Sequence, residues 1–145
     1  MLSSPLVAQD LVKGLSAIDT EDYETAFKEL KPLAEQGNSI AQYNLGFIYD
    51  NGHGVSQDYK EAAKWYELSA KQGDSWAQSN LGYFYQYGLG VKQDYKEAAR
   101  LYTLSSEQGL ATSQGNLGIM YEEGFGVLQN YKEAFRLYKL AADQG

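Results

Sequence analysis

The chain repeats itself at a fixed interval. Residues 52–63 read GHGVSQDYKEAA, residues 88–99 read GLGVKQDYKEAA and residues 124–135 read GFGVLQNYKEAF, each copy 36 positions after the last (88 − 52 = 124 − 88 = 36). Residues 39–74 and 75–110 agree at about 22 of 36 positions with no insertion, far more than shared composition produces. A unit of this length is one helix pair that cannot bury its apolar side alone, so the units must stack. A degenerate copy comes first: DYETAFKELKPLAEQG at 22–37 matches DYKEAAKWYELSAKQG at 58–73. The repeat thus implies a single, cooperative all-α domain over residues 1–145, with about eight helices in four stacked helix-loop-helix pairs. Its divisions are 1–9 (an N-terminal extension or the remnant of a signal peptide), 10–37 (a capping repeat), 38–73, 74–109 and 110–145.

Each unit carries its own start and stop signals. Ser39 with Gln42, and Ser75 with Gln78, have the spacing of a capping box at the start of helix A, and Ala111 breaks it in the third unit. Ala41, Leu45, Ile48 and Tyr49 recur at helical spacing, and Gly52 and Gly54 then end the helix. Helix B opens at Asp58 with Glu61, Asp94 with Glu97 and Asn130 with Glu133, a second set of capping boxes. Its expected buried stripe is Tyr59, Ala62, Ala63, Tyr66 and Ala70, and a Gln-Gly pair closes it. In the first unit Pro32 stands where later units have Leu68 and Leu104, which predicts a helix bent or ended early.

A Gly-x-Gly turn running into a helix invites comparison with a phosphate loop. A dinucleotide fingerprint needs a third glycine, a preceding strand and a later acidic residue, and a P-loop needs Gly-Lys-Ser/Thr. GLGVKQ has none of these and reads as a turn whose Val91 fills the gap between helices. With 12 basic and 19 acidic residues the net charge is −7, which repels nucleic acid and anionic lipid. No apolar run reaches the ~20 residues of a membrane span, and the absence of cysteine excludes disulfides and thiolate metal sites. His53, the only histidine, takes a loop position held elsewhere by Leu89 and Phe125 and reads as a tolerated loop residue. Asp50-Asn51-Gly52 lacks the further ligands of a calcium loop. No serine or threonine has a histidine and carboxylate set for nucleophilic catalysis. No catalytic residue, cofactor or metal is expected.

The segments NLGFIYDNGHGV, NLGYFYQYGLGV and NLGIMYEEGFGV, each followed by QDYKEAA or a variant, resemble the Sel-one-like repeat family, relatives of the tetratricopeptide repeat. The resemblance covers residues 22–145. It implies a right-handed α-solenoid, a superhelix with A helices on the concave face and B helices on the convex one. It also implies a non-enzymatic adaptor that gathers other proteins, in the bacterial envelope or at host contact in several cases and in eukaryotic protein degradation in others. A periplasmic or secreted location is favoured slightly over a cytoplasmic one. A cysteine-rich branch linked to β-lactam binding makes an envelope hydrolase or β-lactam-binding protein the alternative, with a structural spacer as the other. Lacking cysteine, this chain departs from that branch.

Ten of the thirteen tyrosines fall at repeated positions and read as core, so the residues that vary between units carry the specificity. Along helix A these are Ile40, Tyr43, Phe47 and Asp50; then Trp76, Ser79, Tyr83 and Gln86; then Thr112, Gly115, Ile119 and Glu122. Their three-four-three spacing puts each set on one stripe. The resemblance turns that stripe toward the concave groove, where the apolar members would anchor a peptide or protein segment beside a polar, partly acidic edge of Asp50, Gln86 and Glu122. The competing expectation is that Trp76 and Tyr83 bridge neighbouring helices as core. Finally, if helix B offers its Leu68 or Leu104 side to the next repeat, Leu137, Leu140 and Ala141 lie partly uncovered and favour weak self-association through the C-terminal helix.

Overall fold

A computed structural model describes residues 5–145, all of whose regular structure is helical. Eight helices follow in order: α1 (Pro5–Asp19), α2 (Tyr23–Glu35), α3 (Ser39–Asn51), α4 (Tyr59–Lys71), α5 (Ser75–Tyr87), α6 (Tyr95–Glu107), α7 (Ala111–Glu123) and α8 (Tyr131–Ala142). Residues 5–9 belong to α1, and the first four residues of the expected extension lie outside the described region. The chain divides between Gln72 and Gly73 into two compact units of four helices each.

In the first unit the core gathers Ala17, Ala26, Leu30, Leu33, Ala34, Ala41, Leu45, Ile48 and Trp65, with Tyr49 and Val55 packed against it. In the second, Ala98, Ala99, Tyr102, Leu117, Met120 and Leu137 cluster, with Tyr85, Tyr95, Tyr121 and Val127 alongside. The valine after the Gly-x-Gly loop thus packs on a core in both units. Within each repeat the glycine of Asn-Leu-Gly exists for a ring. A Cβ on Gly46, Gly82 or Gly118 would come within 2.6 to 2.9 Å of Tyr66, Tyr102 or Tyr138, so two helices meet at the distance of a ring laid on bare backbone.

The caps differ from the sequence expectation in an instructive way. Helix A is capped one residue earlier, by Asn38 and Asp74, whose side chains accept from the N–H of Ala41 at 2.9 Å and of Ala77 at 2.7 Å. Ser39 and Ser75 are the first helical residues, and the Gln42 amide reaches back to the Ala34 carbonyl at 3.1 Å. The third helix A starts behind Leu110 with no side-chain cap, as the break at Ala111 implies. For helix B the N-caps Asp58, Asp94 and Asn130 stand as read. The glutamates, however, do not close the box. Glu61, Glu97 and Glu133 pair with Lys64, Arg100 and Arg136 one turn on, because the N–H of each cap residue already bonds the Tyr49, Tyr85 or Tyr121 carbonyl. Pro32 neither shortens nor ends its helix: α2 runs to Glu35 and equals α4 and α6 in length. Proline removes one hydrogen bond there, the one to the Lys28 carbonyl, and the last turn still closes beyond it through the Gln36 N–H to the Pro32 carbonyl at 3.1 Å.

Two contacts hold the loops. Gln57, Gln93 and Gln129 each donate to the carbonyl of Asp50, Gln86 or Glu122, at 2.7, 2.8 and 2.7 Å, and to the hydroxyl of Tyr59, Tyr95 or Tyr131. The second loop glycine has φ of +70° at Gly54 and +69° at Gly126 and lies on the backbone of Tyr23 or Tyr95 in the preceding helix B. A side chain at Gly126 would collide with that backbone. The residue between the glycines is no idle loop position: His53 stacks on Tyr23 with ring centroids 4.1 Å apart, and Phe125 on Tyr95 at 4.9 Å.

Candidate functional site

The variable stripe of each helix A is where the helices of one repeat differ from those of the next. In the first unit, on α3, Ile40 is exposed while Tyr43, Phe47 and Asp50 are half-buried. Tyr43 lies 5.9 Å from the Tyr66 ring and Phe47 5.6 Å from His53, so both are partly spent on their own repeat. In the second unit, on α5, Trp76 is 51% exposed and Tyr83 47%. Tyr83 sets its ring 4.5 Å from Tyr87, another exposed aromatic. On α7, Thr112, Ile119 and Glu122 are exposed.

Ser79 is buried and offers a partner no surface. Gly115, its counterpart on α7, has nothing within 4 Å of where a Cβ would stand. Tyr87 was missed by the sequence reading, although it varies in step with Asn51 and Glu123 and the same rule would have found it.

The polar edge is already engaged. The hydroxyls of Tyr66, Tyr102 and Tyr138 donate to Asp50, Gln86 and Glu122 at 3.1, 2.8 and 2.5 Å. Burial raises the Asp50 carboxyl above its ordinary range, opposed by the Tyr66 hydrogen bond. Burial, then the bond to Glu122, pushes the Tyr138 phenol up to about 12, and burial raises Tyr102 further. These phenols remain donors across the physiological range. Gln86 also reaches the Tyr87 hydroxyl at 3.5 Å, which links the packed tyrosine of α6 to the exposed pair on α5.

Among the described residues no three His, Asp or Glu side chains converge as a metal site, and no helix is long and apolar enough to cross a membrane. Helix pairs closed by Gly-x-Gly loops, with the Gly54 and Gly126 loops seated on the helix B before them, define an all-α repeat protein of the solenoid class. The Sel1 repeat model matches residues 39–74, 77–110 and 111–145, and the chain belongs to the Sel1 repeat family. Among solved structures it is similar to a protective antigen of uropathogenic Escherichia coli displaying an SLR fold. The identity is 43% and the TM-score 0.81, over 83% of this chain and 26% of that one. It is also similar to a Sel1 repeat protein from Oxalobacter formigenes, at 36% identity and a TM-score of 0.87, over 92% of this chain and 55% of that one. The chain therefore spans about a quarter and about half of the length of these two relatives. No curated protein matches it.

Proposed function

We propose that the protein is a non-enzymatic scaffold that holds a peptide or protein segment against the variable stripe of its A helices, with Trp76 and Tyr83 as the main apolar anchors. Tyr87, Thr112 and Ile119 extend the surface within the second unit, with Gln86 and Glu122 as its polar margin, and Ile40, Tyr43, Phe47 and Asp50 are the corresponding stripe on α3 of the first. One observation carries the reading: about half of each Trp76 and Tyr83 side chain meets solvent, on a helix whose opposite stripe, Ala77, Leu81 and Phe84, is buried. Large aromatic side chains left open in this way are typical of partner anchors. Gly115 adds support. A glycine inside a helix costs about 1 kcal/mol relative to alanine, and no neighbour requires this one, whereas a partner's close approach would. Family membership favours protein partners, and nothing favours the hydrolase or β-lactam reading.

Replacing Trp76 and Tyr83 with alanine tests the proposal. Peptides selected from a displayed random library on the wild-type protein are expected to lose binding to the double variant while its thermal midpoint stays put. A large drop in midpoint with peptide binding unchanged would return both residues to the core and sink the reading.

A further inference from the structure

Exposed apolar residues are spread unevenly over the helices. Leu137, expected to lie uncovered, is buried, and the exposed leucines of the B helices, Leu68, Leu104 and Leu140, stand one to a helix, as on an ordinary surface. On α5, three aromatic residues share one stripe. Trp76 and Tyr83 are joined there by Tyr87, 56% exposed, at spacings of seven and four residues (83 − 76, 87 − 83). This helix lies inside the chain, with repeats before and after it, so no chain end opens the stripe. The tyrosine pair lies toward α7: Tyr83 and Tyr87, with Asn116 of α7, are near enough to the Tyr102 phenol to act on its ionisation, and its hydroxyl donates to Gln86 at 2.8 Å. Beside Asn116, Gly115 leaves open space over α7.

The charge along these two A helices has one sign. All six basic residues of the second unit (Lys92, Lys96, Arg100, Lys132, Arg136 and Lys139) are on α6, α8 or the loop before α6, and α5 and α7 carry none. The charged residues of α5 and α7 are Glu122 and Glu123, both exposed in the last turn of α7, where the carbonyl end of the helix is already negative. One oxygen of Glu122 accepts the Tyr138 hydroxyl, and among the described residues neither glutamate forms an ion pair. Tyrosine faces attract positive charge as well. We propose that the stripe of the second unit takes a basic segment, whose arginine or lysine rests on the Tyr83–Tyr87 pair with its charge toward Glu122 and Glu123, while an apolar residue covers Trp76. This rests on the scaffold reading above and adds the sign and register of the partner. Trp76 and Tyr87 are 11 residues apart (87 − 76), about 16 Å along a helix. An extended chain spans that in about five residues at roughly 3.3 Å each, so the partner's apolar and basic residues stand about four to six positions apart. A guanidinium suits the place better than an ammonium, because its plane stacks on a ring while its edge meets a carboxylate.

A displayed random-peptide library selected on the wild-type protein tests the proposal. Recovered peptides are expected to carry arginine or lysine about four to six positions from an aromatic or aliphatic residue, and to bind less well in high salt. Replacing that basic residue with glutamine, or making Glu122→Gln with Glu123→Gln in the protein, should weaken binding by roughly tenfold while the thermal midpoint holds. Glu122→Gln puts there the residue that α5 carries at the equivalent position, Gln86, and an amide oxygen still accepts from Tyr138, so the variant is expected to fold. Glu107→Gln with Asp143→Asn removes the same charge from exposed positions off the stripe and should leave binding unchanged. Equal weakening by this control pair would mean that only net charge is felt, and overturns the proposal. Peptides that need Trp76 and Tyr83 yet carry no basic residue, or that bind the double glutamine variant as well as wild type, overturn it and leave the scaffold reading standing. A library that yields no binder, or peptides indifferent to Trp76→Ala with Tyr83→Ala, would overturn both.

Discussion

At the scale of the residue, the same amino acid does opposite things on one helix. Gly118 receives the Tyr138 ring, whereas the Cβ position of Gly115 meets nothing. Gly118→Ala should therefore destabilise by about 1–3 kcal/mol through overpacking. Gly115→Ala should stabilise by about 0.5–1 kcal/mol by removing backbone freedom from the unfolded chain. Urea melts of the two variants check this, and equal effects would refute the assignment. Asp50 gives a pH-dependent case. A carboxyl whose folded pKa is raised stabilises the fold below its unfolded value of 3.8 and loses that contribution as pH rises through the folded value. At neutral pH the buried charge is thus a cost. Asp50→Asn, which can still accept from Tyr66, should melt higher than wild type at pH 7, and the difference should vanish in acid, where both side chains are neutral. A difference that grew toward low pH would contradict the burial argument.

At the scale of the element, helix starts are unequal. Asp58 accepts from the N–H of both Lys60 and Glu61, at 2.9 and 3.1 Å, whereas α7 begins behind Leu110 with no such acceptor. Asp58→Ala should cost about 1 kcal/mol, and Leu110→Asp, placed as Asp74 is, should recover a similar amount less the apolar contact it gives up. Hydrogen exchange of the first-turn amides of α7 reports the second effect directly: slower exchange is expected, and faster exchange would show that Leu110 contributes more through packing than a cap can.

At the scale of the whole molecule, the repeat runs through Gln72 and Gly73 without interruption in sequence, although the structure divides there into two compact units. The single cooperative domain expected from the repeat is open to test because each unit holds one tryptophan, Trp65 in the first and Trp76 in the second. In variants keeping one tryptophan each, the fluorescence transition against denaturant should coincide with the loss of helix by circular dichroism in the same variant, as nearest-neighbour coupling between repeats requires. Separate midpoints would make two domains of the chain.

The helix count, the period and the loop positions were legible in the sequence because they depend on local chemistry repeated in register. Proline, glycine and cap residues act within a few positions of themselves, and 36-residue copies average out the exceptions. The candidate stripe was legible in outline for the same reason, since Trp76 and Tyr83 vary where the core does not. What the sequence could not rank was competition. Asn38 and Asp74 cap helix A ahead of the serines because the N–H groups the serines would need, those of Gln42 and Gln78, already bond the Asn38 and Asp74 carbonyls. Glu61 found Lys64 because its expected partner was already bonded to Tyr49. Ser79 fell inside while its stripe neighbours stayed out, and Leu137 closed over the core while Phe135 stayed open. The cap outcomes turn on which acceptor takes each N–H first, and the burial of Ser79 and Leu137 turns on which neighbouring helix covers a given face, decided only when the helices pack.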